Sequence, residues 1–261
     1  MAVNHVRSKS SNGKRLVQSK LNINNETILK CPKCEMKYSP NSIDDVATHK
    51  KYHDLHINGR NWSQTWGIPI HDTTSSTIIA TPSSSPFKTG KSVNNKNNER
   101  IVMIQENKPA EVKAMLEIMD IVNQELNAPQ DENNFWRKPN AEHQGKAIVY
   151  IKDKKAVGAI TVEVLKQHKC RWMIYETRTL VEHVRPQFTL GISRIWVCRA
   201  QRGKGIAEKL LDAARISAIP GQNVDKMKLA WSQPSDSGGR LAKKYNGVKH
   251  KSGHILIPCY L

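Results

Sequence analysis

Four potential metal ligands near the N-terminus constrain the fold of this chain more than any other feature. Two residues separate Cys31 from Cys34, fourteen residues follow, and three residues separate His49 from His53. A cysteine turn and two imidazoles one helical turn apart can surround one tetrahedral Zn2+. The spacing predicts a small zinc finger, with His56 as a competing last ligand. Because a closed four-ligand site has no open position, we expect the metal to be structural.

The remaining cysteines and the charge narrow the setting in which such a chain works. The 261 residues include five cysteines, an odd number, and the first residues lack the apolar core of a signal peptide. We therefore expect a reducing compartment and metal binding rather than disulfides. No apolar run of about 18 residues appears, so we expect no membrane span. The net charge of +18 favours acidic partners, nucleic acid above all.

Composition divides the chain into four parts. Residues 1–26 predict a disordered basic tail, and residues 27–60 hold the predicted finger. Residues 72–99 are rich in Ser, Thr, Asn and Pro, which is typical of a flexible linker. Ordered periodicity covers 100–261. Because the linker separates the two ordered parts, we expect residues 100–261 to fold without the finger.

The C-terminal part mixes the periods of strands and helices. Residues 101–105 alternate as a strand does, and 111–126 place apolar residues on one helical stripe. Two strands follow around Asp153, and strand, helix, strand, short helix and strand complete the chain. This order predicts a mixed α/β (α+β) domain.

A glycine-containing turn joins the strand 190–197 to the next helix. The turn has the pattern R-x-x-G-x-A, in which glycines let backbone N–H groups approach a phosphate and the helix N-terminus attracts an anion. It lacks the frame of a Walker A loop. The turn suits a pyrophosphate, although a basic turn that only caps a helix has the same composition. The pattern consists of Arg202, Gly203, Lys204, Gly205, Ile206 and Ala207.

The same turn resembles motif A of the GNAT acetyltransferases, and the whole order of motifs resembles the cohesin acetyltransferase family. The resembling segments run from CPKCEMKYS and HKKYH through GRNW, ELNAPQDENNFW and KAIVYIKDKKAVGAITVE. They continue through VRPQFTLGISRIWVCRAQRGKGIA, AWSQPSDSGGRLAKKYNG and HKSGHILIPCYL. The WSQPSDSGG form is similar to the budding-yeast branch. The resemblance implies a GNAT domain behind a C2H2-type finger, with acetyl-CoA and Zn2+ as cofactors.

The resemblance also implies a biological role, the acetylation of lysines on the ATPase head of the cohesin SMC subunit. This acetylation establishes sister chromatid cohesion during DNA replication. The implied location is the nucleus, in association with chromatin. Two alternatives remain open: a chromatin or nucleic-acid binding protein without catalysis, and a GNAT enzyme with another acceptor such as histone.

The family's cofactor site maps onto three segments of this chain. The strand end would pair with the pantetheine arm, the turn and the following helix would hold the pyrophosphate, and the segment after the next strand would hold the other side. The residues so implied are Ile195, Trp196, Val197, Arg202, Gly203, Lys204, Gly205, Ile206, Ala207, Glu208, Ser235, Asp236 and Ser237.

The sequence offers several candidates for the general base. The animal branch carries Asp where this chain has Gln233, and Gln cannot accept a proton. The remaining candidates are Ser193, Glu163, Asp236 and Glu176. Tyr245 is a weaker candidate for the acid, and Cys198 has no histidine at motif spacing to support covalent catalysis.

Two short segments outside the ordered parts suggest partners. Gln18, Ser19, Lys20 and Leu21 resemble the start of a PCNA-binding box but lack its aromatic residues. Thr81 and Ser85 each precede a proline, and their spacing resembles a phosphodegron. An ordinary Ser/Pro-rich linker has the same composition.

Overall fold

The computed structural model describes residues 28–70, 98–126 and 145–261, and the structural statements below concern these ranges. The first range begins with an antiparallel pair, β1 (Leu29–Lys30) and β2 (Lys37–Tyr38), followed by helix α1 (Ile43–Asn58). Ser42 caps α1 by accepting a hydrogen bond from the Asp45 backbone N–H at 3.2 Å. This ββα arrangement is the predicted finger.

A large mixed sheet and three further helices form the rest. The helices are α2 (Pro109–Leu126), α3 (Ile206–Ser217) and α4 (Asp236–Asn246). The strands are β3 (Arg60–Asn61), β4 (Ile68–Pro69), β5 (Glu99–Met103), β6 (Lys146–Lys152), β7 (Lys155–Val164), β8 (Cys170–Ile174), β9 (Leu180–Val181), β10 (Leu190–Val197), β11 (Leu229–Ser232), β12 (Val248–Lys249) and β13 (Ile255–Tyr260).

The sheet order is β4-β5-β6-β7-β10-β11-β13-β8-β9, with β12 beside β13 and β3 beside β7. Strands β10, β11 and β13 run parallel, and the other pairings are antiparallel. The parallel part requires crossover connections, which α3 and α4 supply. The predicted mixed α/β fold is confirmed.

The core lies between the sheet and the helices. Helix α3 buries Ile206, Leu210, Leu211 and Ala214, the stripe that its sequence predicts. Helix α2 buries Val112, Met115, Ile118 and Val122 at helical spacing. None of the helices in the described ranges combines the length and the apolar character needed to cross a membrane.

The sheet extends to residues that precede the predicted linker. Arg60 pairs with Ala156 on β7, and Ile68 pairs with Met103 on β5. Between them, Trp62 is only 4% exposed and belongs to the main core. The chain just after the finger helix is therefore part of the large sheet, and that residues 100–261 fold without the finger stays a prediction.

Several predictions concern segments outside the described residues. They are the tail 1–26, the PCNA-like segment Gln18 to Leu21, the sites Thr81 and Ser85, and the linker up to residue 97.

Candidate active site and zinc site

The four residues predicted as metal ligands lie together. The ligand atoms of Cys31, Cys34, His49 and His53 are all within 4.8 Å of one another. Cys31 Sγ lies 3.4 Å from His53 Nδ1. Helix α1 presents both imidazoles one turn apart, and the β1–β2 turn presents both sulfurs. His56 is outside this group, because its Nδ1 lies 2.7 Å from Glu125 Oε1 on α2.

The chemistry of this donor set fits Zn2+. Two thiolates and two imidazoles are the usual ligands of a structural zinc ion. His49 Nε2 is buried and has no hydrogen-bond partner in the part of the chain that the structure describes, which a metal bond would remedy. A hydrogen bond from the Cys34 backbone N–H lowers the pKa of the Cys31 thiol, which favours the thiolate that binds metal.

Strands β10 and β11 separate partway along their length. Their parallel pairing runs from Leu190 with Leu229 to Ile192 with Trp231, and β11 ends at Ser232 while β10 continues to Val197. On its other side β10 stays paired with β7 as far as Val197 with Gly158. We call this gap between β10 and β11 the split. Backbone groups of the strand end 195–197 that point away from β7 face the split, and among them the Val197 carbonyl oxygen accepts a hydrogen bond from Arg202 Nε.

A β-bulge marks the start of the split. The register of β10 against β7 shifts between Ile192 and Arg194, so Ser193 is the extra residue. The Ser193 carbonyl oxygen accepts a hydrogen bond from Ser232 Oγ at 2.9 Å. The Ser193 hydroxyl makes no hydrogen bond within the described part of the chain.

The turn after β10, residues 198–205, leads into α3 and is called here the coenzyme turn. Gly203 and Gly205 both have φ of +77°, a conformation that residues with a side chain rarely adopt. A Cβ at either position would meet nothing within 4 Å, so the space in front of the α3 N-terminus is open. Free N–H groups at a helix N-terminus, an open approach and glycine backbone fit a pyrophosphate group.

The charged side chains of this region have other partners than the sequence suggested. Arg202 donates from Nε to the Val197 carbonyl oxygen at 2.8 Å and from Nη2 to Glu125. Lys204 Nζ donates to the Ala200 carbonyl oxygen at 3.0 Å. Glu208 accepts a hydrogen bond from Lys244 on α4. The open space in front of α3 is therefore bordered by backbone, while these side chains hold the turn and the helix in place.

The segment after β11 forms the opposite wall of the split. Ser235 caps α4 and accepts a hydrogen bond from the Gly238 backbone N–H at 3.3 Å, and Ser237 Oγ lies 3.3 Å from Ser235 Oγ. Arg178, from the β8–β9 turn, donates to the Pro234 carbonyl oxygen at 2.9 Å and lies 3.2 Å from Asp236 Oδ1. The side chain of Asp236 is 95% exposed. As a candidate base, Asp236 is therefore held by a guanidinium on the surface, outside any desolvated site.

The candidate base Glu163 lies close to the point where β10 and β11 separate. Glu163 on β7 pairs with Gly191 on β10, where a Cβ would lie 2.8 Å from the ring of Tyr260. The Tyr260 hydroxyl donates to Glu163 Oε1 at 2.7 Å. Burial raises the pKa of Tyr260, so the hydroxyl remains a donor at neutral pH. Ser232, which pairs with Tyr260 across β11 and β13, connects this group to the Ser193 carbonyl.

Sequence reasoning missed Tyr260 and Ser232. Both lie at the carboxyl ends of neighbouring parallel strands, a place where ligand sites collect. That signal required knowledge that β13 runs beside β11, which is a pairing between distant parts of the chain.

The other residues considered for catalysis have structural partners. The Tyr245 hydroxyl donates to Asp212 Oδ1 on α3 at 2.6 Å, and burial raises the pKa of Tyr245. Glu176 accepts a hydrogen bond from the Ile255 backbone N–H at 3.3 Å. Cys198 is buried, which raises the pKa of its thiol, and its backbone N–H donates to the Val157 carbonyl oxygen at 2.8 Å.

Comparisons with known proteins agree with this geometry. A profile described as ESCO1/2 acetyl-transferase matches residues 186–255, which contain the split and the coenzyme turn. A second profile, described as the zinc-finger of acetyl-transferase ESCO, matches residues 18–55.

Full-length relatives extend the match to the whole chain. N-acetyltransferase ECO1 of Candida glabrata is 99% identical over 100% of both chains. The ECO1 proteins of Eremothecium gossypii and Saccharomyces cerevisiae are 52% and 46% identical, over 95% and 97% of each chain. A solved structure of the xEco2 acetyltransferase domain bound to a CoA conjugate has a TM-score of 0.51 and 23% identity, covering 63% of this chain and 92% of that one. This last likeness concerns the fold.

Proposed function

We propose that this chain, which belongs to the ECO1 family of N-acetyltransferases, acetylates lysine side chains on the ATPase head of the cohesin SMC subunit. The family membership makes the chain an acetyl-CoA-dependent N-acetyltransferase that carries a zinc finger. The acceptor and the link to DNA replication rest on the resemblance described above. The observation that carries the activity is the split, which opens beside a glycine turn and a helix N-terminus.

We assign the two halves of acetyl-CoA to the two ends of the split. The backbone of Ile195, Trp196 and Val197 would pair with the pantetheine arm, since β11 no longer covers that side of β10. The α3 N-terminus would hold the pyrophosphate through the backbone of the turn and the first helical residues, Gly203 to Glu208. Ser235, Asp236 and Ser237 at the start of α4 would form the other wall. Acetyl-CoA supplies the activated acetyl group.

The acceptor lysine must lose a proton before it can attack. Its amine has a pKa of about 10.4 in water, so only about 0.1% is neutral near neutral pH. We assign Glu163 as the proton acceptor, because it lies on the strand beside β10 close to the split and accepts a hydrogen bond from a buried tyrosine hydroxyl. Tyr260 would orient the carboxylate, and the Ser193 hydroxyl lies on the neighbouring bulge.

The acceptor is tested by acetylating intact cohesin with acetyl-CoA and mapping the modified lysines by mass spectrometry. We expect modification on the SMC head, and a Gly205→Asp control should show none. A carboxylate at Gly205 would occupy the anion site, and the left-handed backbone there would add about 1–2 kcal/mol of strain. Equal labelling of histones and cohesin would indicate a broader acceptor range.

The assignment of Glu163 is tested by the steady-state kinetics of two variants. Glu163→Gln should lower kcat by about 10^2–10^4, the usual range for removal of a general base, with little change in acetyl-CoA binding. Tyr260→Phe serves as the matched variant, because it removes only the hydroxyl that holds Glu163. An unchanged kcat in folded Glu163→Gln would leave Ser193 as the next candidate.

The cellular setting is a proposal as well. We infer a nuclear, chromatin-associated protein, supported by the ECO1 relatives and the net charge of +18. Gln18 to Leu21 would contact PCNA.

We also propose that phosphorylation of Thr81 and Ser85 marks the protein for degradation. Pulse-chase half-lives of a double Ala variant at Thr81 and Ser85 test this role, and half-lives equal to those of the wild type would contradict it. A chromatin-binding protein without catalytic activity would not require the split between β10 and β11.

A further inference from the structure

Glu125 is a carboxylate in an unfavourable place. It lies in the last turn of α2, where the helix dipole is negative and where α2 has no basic residue. Its side chain is only 8% exposed, so it is also removed from water. Burial alone would raise the pKa of Glu125, but hydrogen bonds from His56 and Arg202 lower it instead. A buried negative charge at this position requires specific partners.

Those partners come from two separate regions. On one side, His56 Nδ1 lies 2.7 Å from Glu125 Oε1, and the His56 side chain is 1% exposed beneath the ring of Tyr52 on the finger helix. On the other side, Arg202 donates to Glu125 Oε2, and Arg199 Nε lies 3.8 Å from Oε1. One carboxylate thus joins the two regions: His56 and Arg199 lie at Oε1, and Arg202 lies at Oε2.

Both arginines belong to the coenzyme turn. Arg202 immediately precedes Gly203, and its Nε also holds the Val197 carbonyl oxygen, so it ties the end of β10 to α2. Arg199 also reaches the finger, where Nη1 donates to the Lys33 carbonyl oxygen at 2.9 Å. The guanidinium groups therefore fix the start of the turn and leave the α3 N-terminus open.

We propose that Glu125 is a positioning residue for acetyl-CoA binding, which holds the coenzyme turn in its binding geometry through Arg202 and Arg199. The inference rests on the proposed coenzyme site. His56 supports Glu125 from behind, so the finger helix is part of the same arrangement. Glu125 itself does not touch the coenzyme, and Arg202 acts on the turn rather than on the phosphates.

The first experiment measures acetyl-CoA affinity by calorimetry on the zinc-loaded full chain. Glu125→Gln keeps the shape but removes the charge, and we expect Kd and KM for acetyl-CoA to rise about tenfold, with kcat changed less than about threefold. Glu125→Asp, which keeps the charge, should recover part of the affinity. Zinc content and a melting curve show that each variant is folded at the assay temperature.

A double-mutant cycle separates positioning from direct phosphate binding. If Glu125 acts through Arg202, the double variant Glu125→Gln/Arg202→Ala should have about the same Kd for acetyl-CoA as whichever single variant binds acetyl-CoA less tightly. Additive losses would overturn the proposal, because they would mean that Arg202 works independently of Glu125. Unchanged affinity in folded Glu125→Gln would also overturn it.

Gly205→Asp distinguishes failure of the inference from failure of the site. If Gly205→Asp abolishes binding while Glu125→Gln does not weaken it, the coenzyme site stands and the positioning role is wrong. If Gly205→Asp also binds normally, the coenzyme has been assigned to the wrong place and the inference is lost with it.

Discussion

The zinc finger and the coenzyme turn are both short, basic segments, but they depend on the rest of the chain to different degrees. All four predicted zinc ligands lie between Cys31 and His53, and they are brought together by one hairpin and one helix. The coenzyme turn is held by Val157 on β7 and by Glu125 on α2. A site formed by local spacing can be recognised in sequence, whereas one formed by distant partners requires the fold.

The difference is also energetic. Metal bonds supply the finger with folding free energy that its few buried side chains could not provide. The coenzyme turn gains its order from hydrogen bonds and ion pairs of ordinary strength. We therefore expect changes at the finger to act as all-or-none events and changes around the turn to be graded.

Zinc removal should have the largest effect. His53→Gln should lose the metal, and with it about 10–16 kcal/mol of binding free energy that folds the finger. His56→Gln is the matched control and should retain one zinc per chain, because His56 contacts Glu125 rather than the ligand group. Metal analysis of both purified variants decides between them, and the reverse pattern would make His56 the fourth ligand.

Trp62→Ala should have the next largest effect, a loss of stability of the acetyltransferase domain. The side chain is buried in the main core, so its removal should cost about 3–5 kcal/mol. Thermal unfolding should show a lower Tm of the acetyltransferase domain while zinc content stays constant. Trp66→Ala, at a half-buried ring packed edge-on against Trp62, should cost less. If only the finger melts earlier, the segment 60–70 belongs to the finger after all.

A pH effect of moderate size should come from Glu99. Hydrogen bonds from Lys152 and Tyr150 lower the pKa of Glu99 to about 2, and Lys209 on α3 lies 3.5 Å away. A lowered pKa in the folded state adds stability above the unfolded value of about 4.3, and that stability is lost as pH falls toward 2. With partial exposure taken into account, the contribution should be about 1–2 kcal/mol at pH 7.

The measurement for Glu99 is the difference in unfolding free energy between wild type and Glu99→Gln. Both chains lose zinc equally in acid, so the difference reports the carboxylate. It should shrink between pH 5 and pH 2, and a difference that stays constant would mean that Glu99 is not held by these partners.

The smallest effect should come from the ion pair between Glu208 and Lys244. It joins α3 to α4, but its side chains are 40% and 73% exposed. Lys244→Ala should therefore change the unfolding free energy by less than about 1 kcal/mol, and added salt should reduce the change further. Urea unfolding at two salt concentrations checks this. A larger loss would show that the two walls of the split depend on this contact.

Much of the fold was predictable because it follows from local pattern. The stripe of α3, the strand 190–197 and the finger spacing each depend on neighbours within one element. The short strands β3 and β4 were not predictable, since each has only two residues and acquires its partner from a distant segment. Helix α4 begins at Asp236, because Ser235 caps it.

The candidate site divides in the same way. The glycine turn was visible in sequence, because Gly203 and Gly205 mark a backbone that other residues avoid. The partners of Arg202 were not visible in the sequence. An arginine that binds a phosphate and an arginine that holds a turn can occur in the same sequence pattern. The contact between Glu163 and Tyr260 depends on the sheet order β7-β10-β11-β13, which no local pattern records.

The pairing of β4 with β5 brings two described parts of the chain, ending at residue 70 and beginning at residue 98, to the same edge of the sheet. The Ile70 backbone N–H donates to the Ile101 carbonyl oxygen at 2.9 Å, so both parts are fixed at this edge. Because residues 70 and 99 are both held on this sheet, doubling the number of residues between them should cost only about 0.6 kcal/mol. A protease that cuts between them would leave two fragments still joined by the sheet, and insertions there would leave the distance between the finger and the coenzyme turn unchanged.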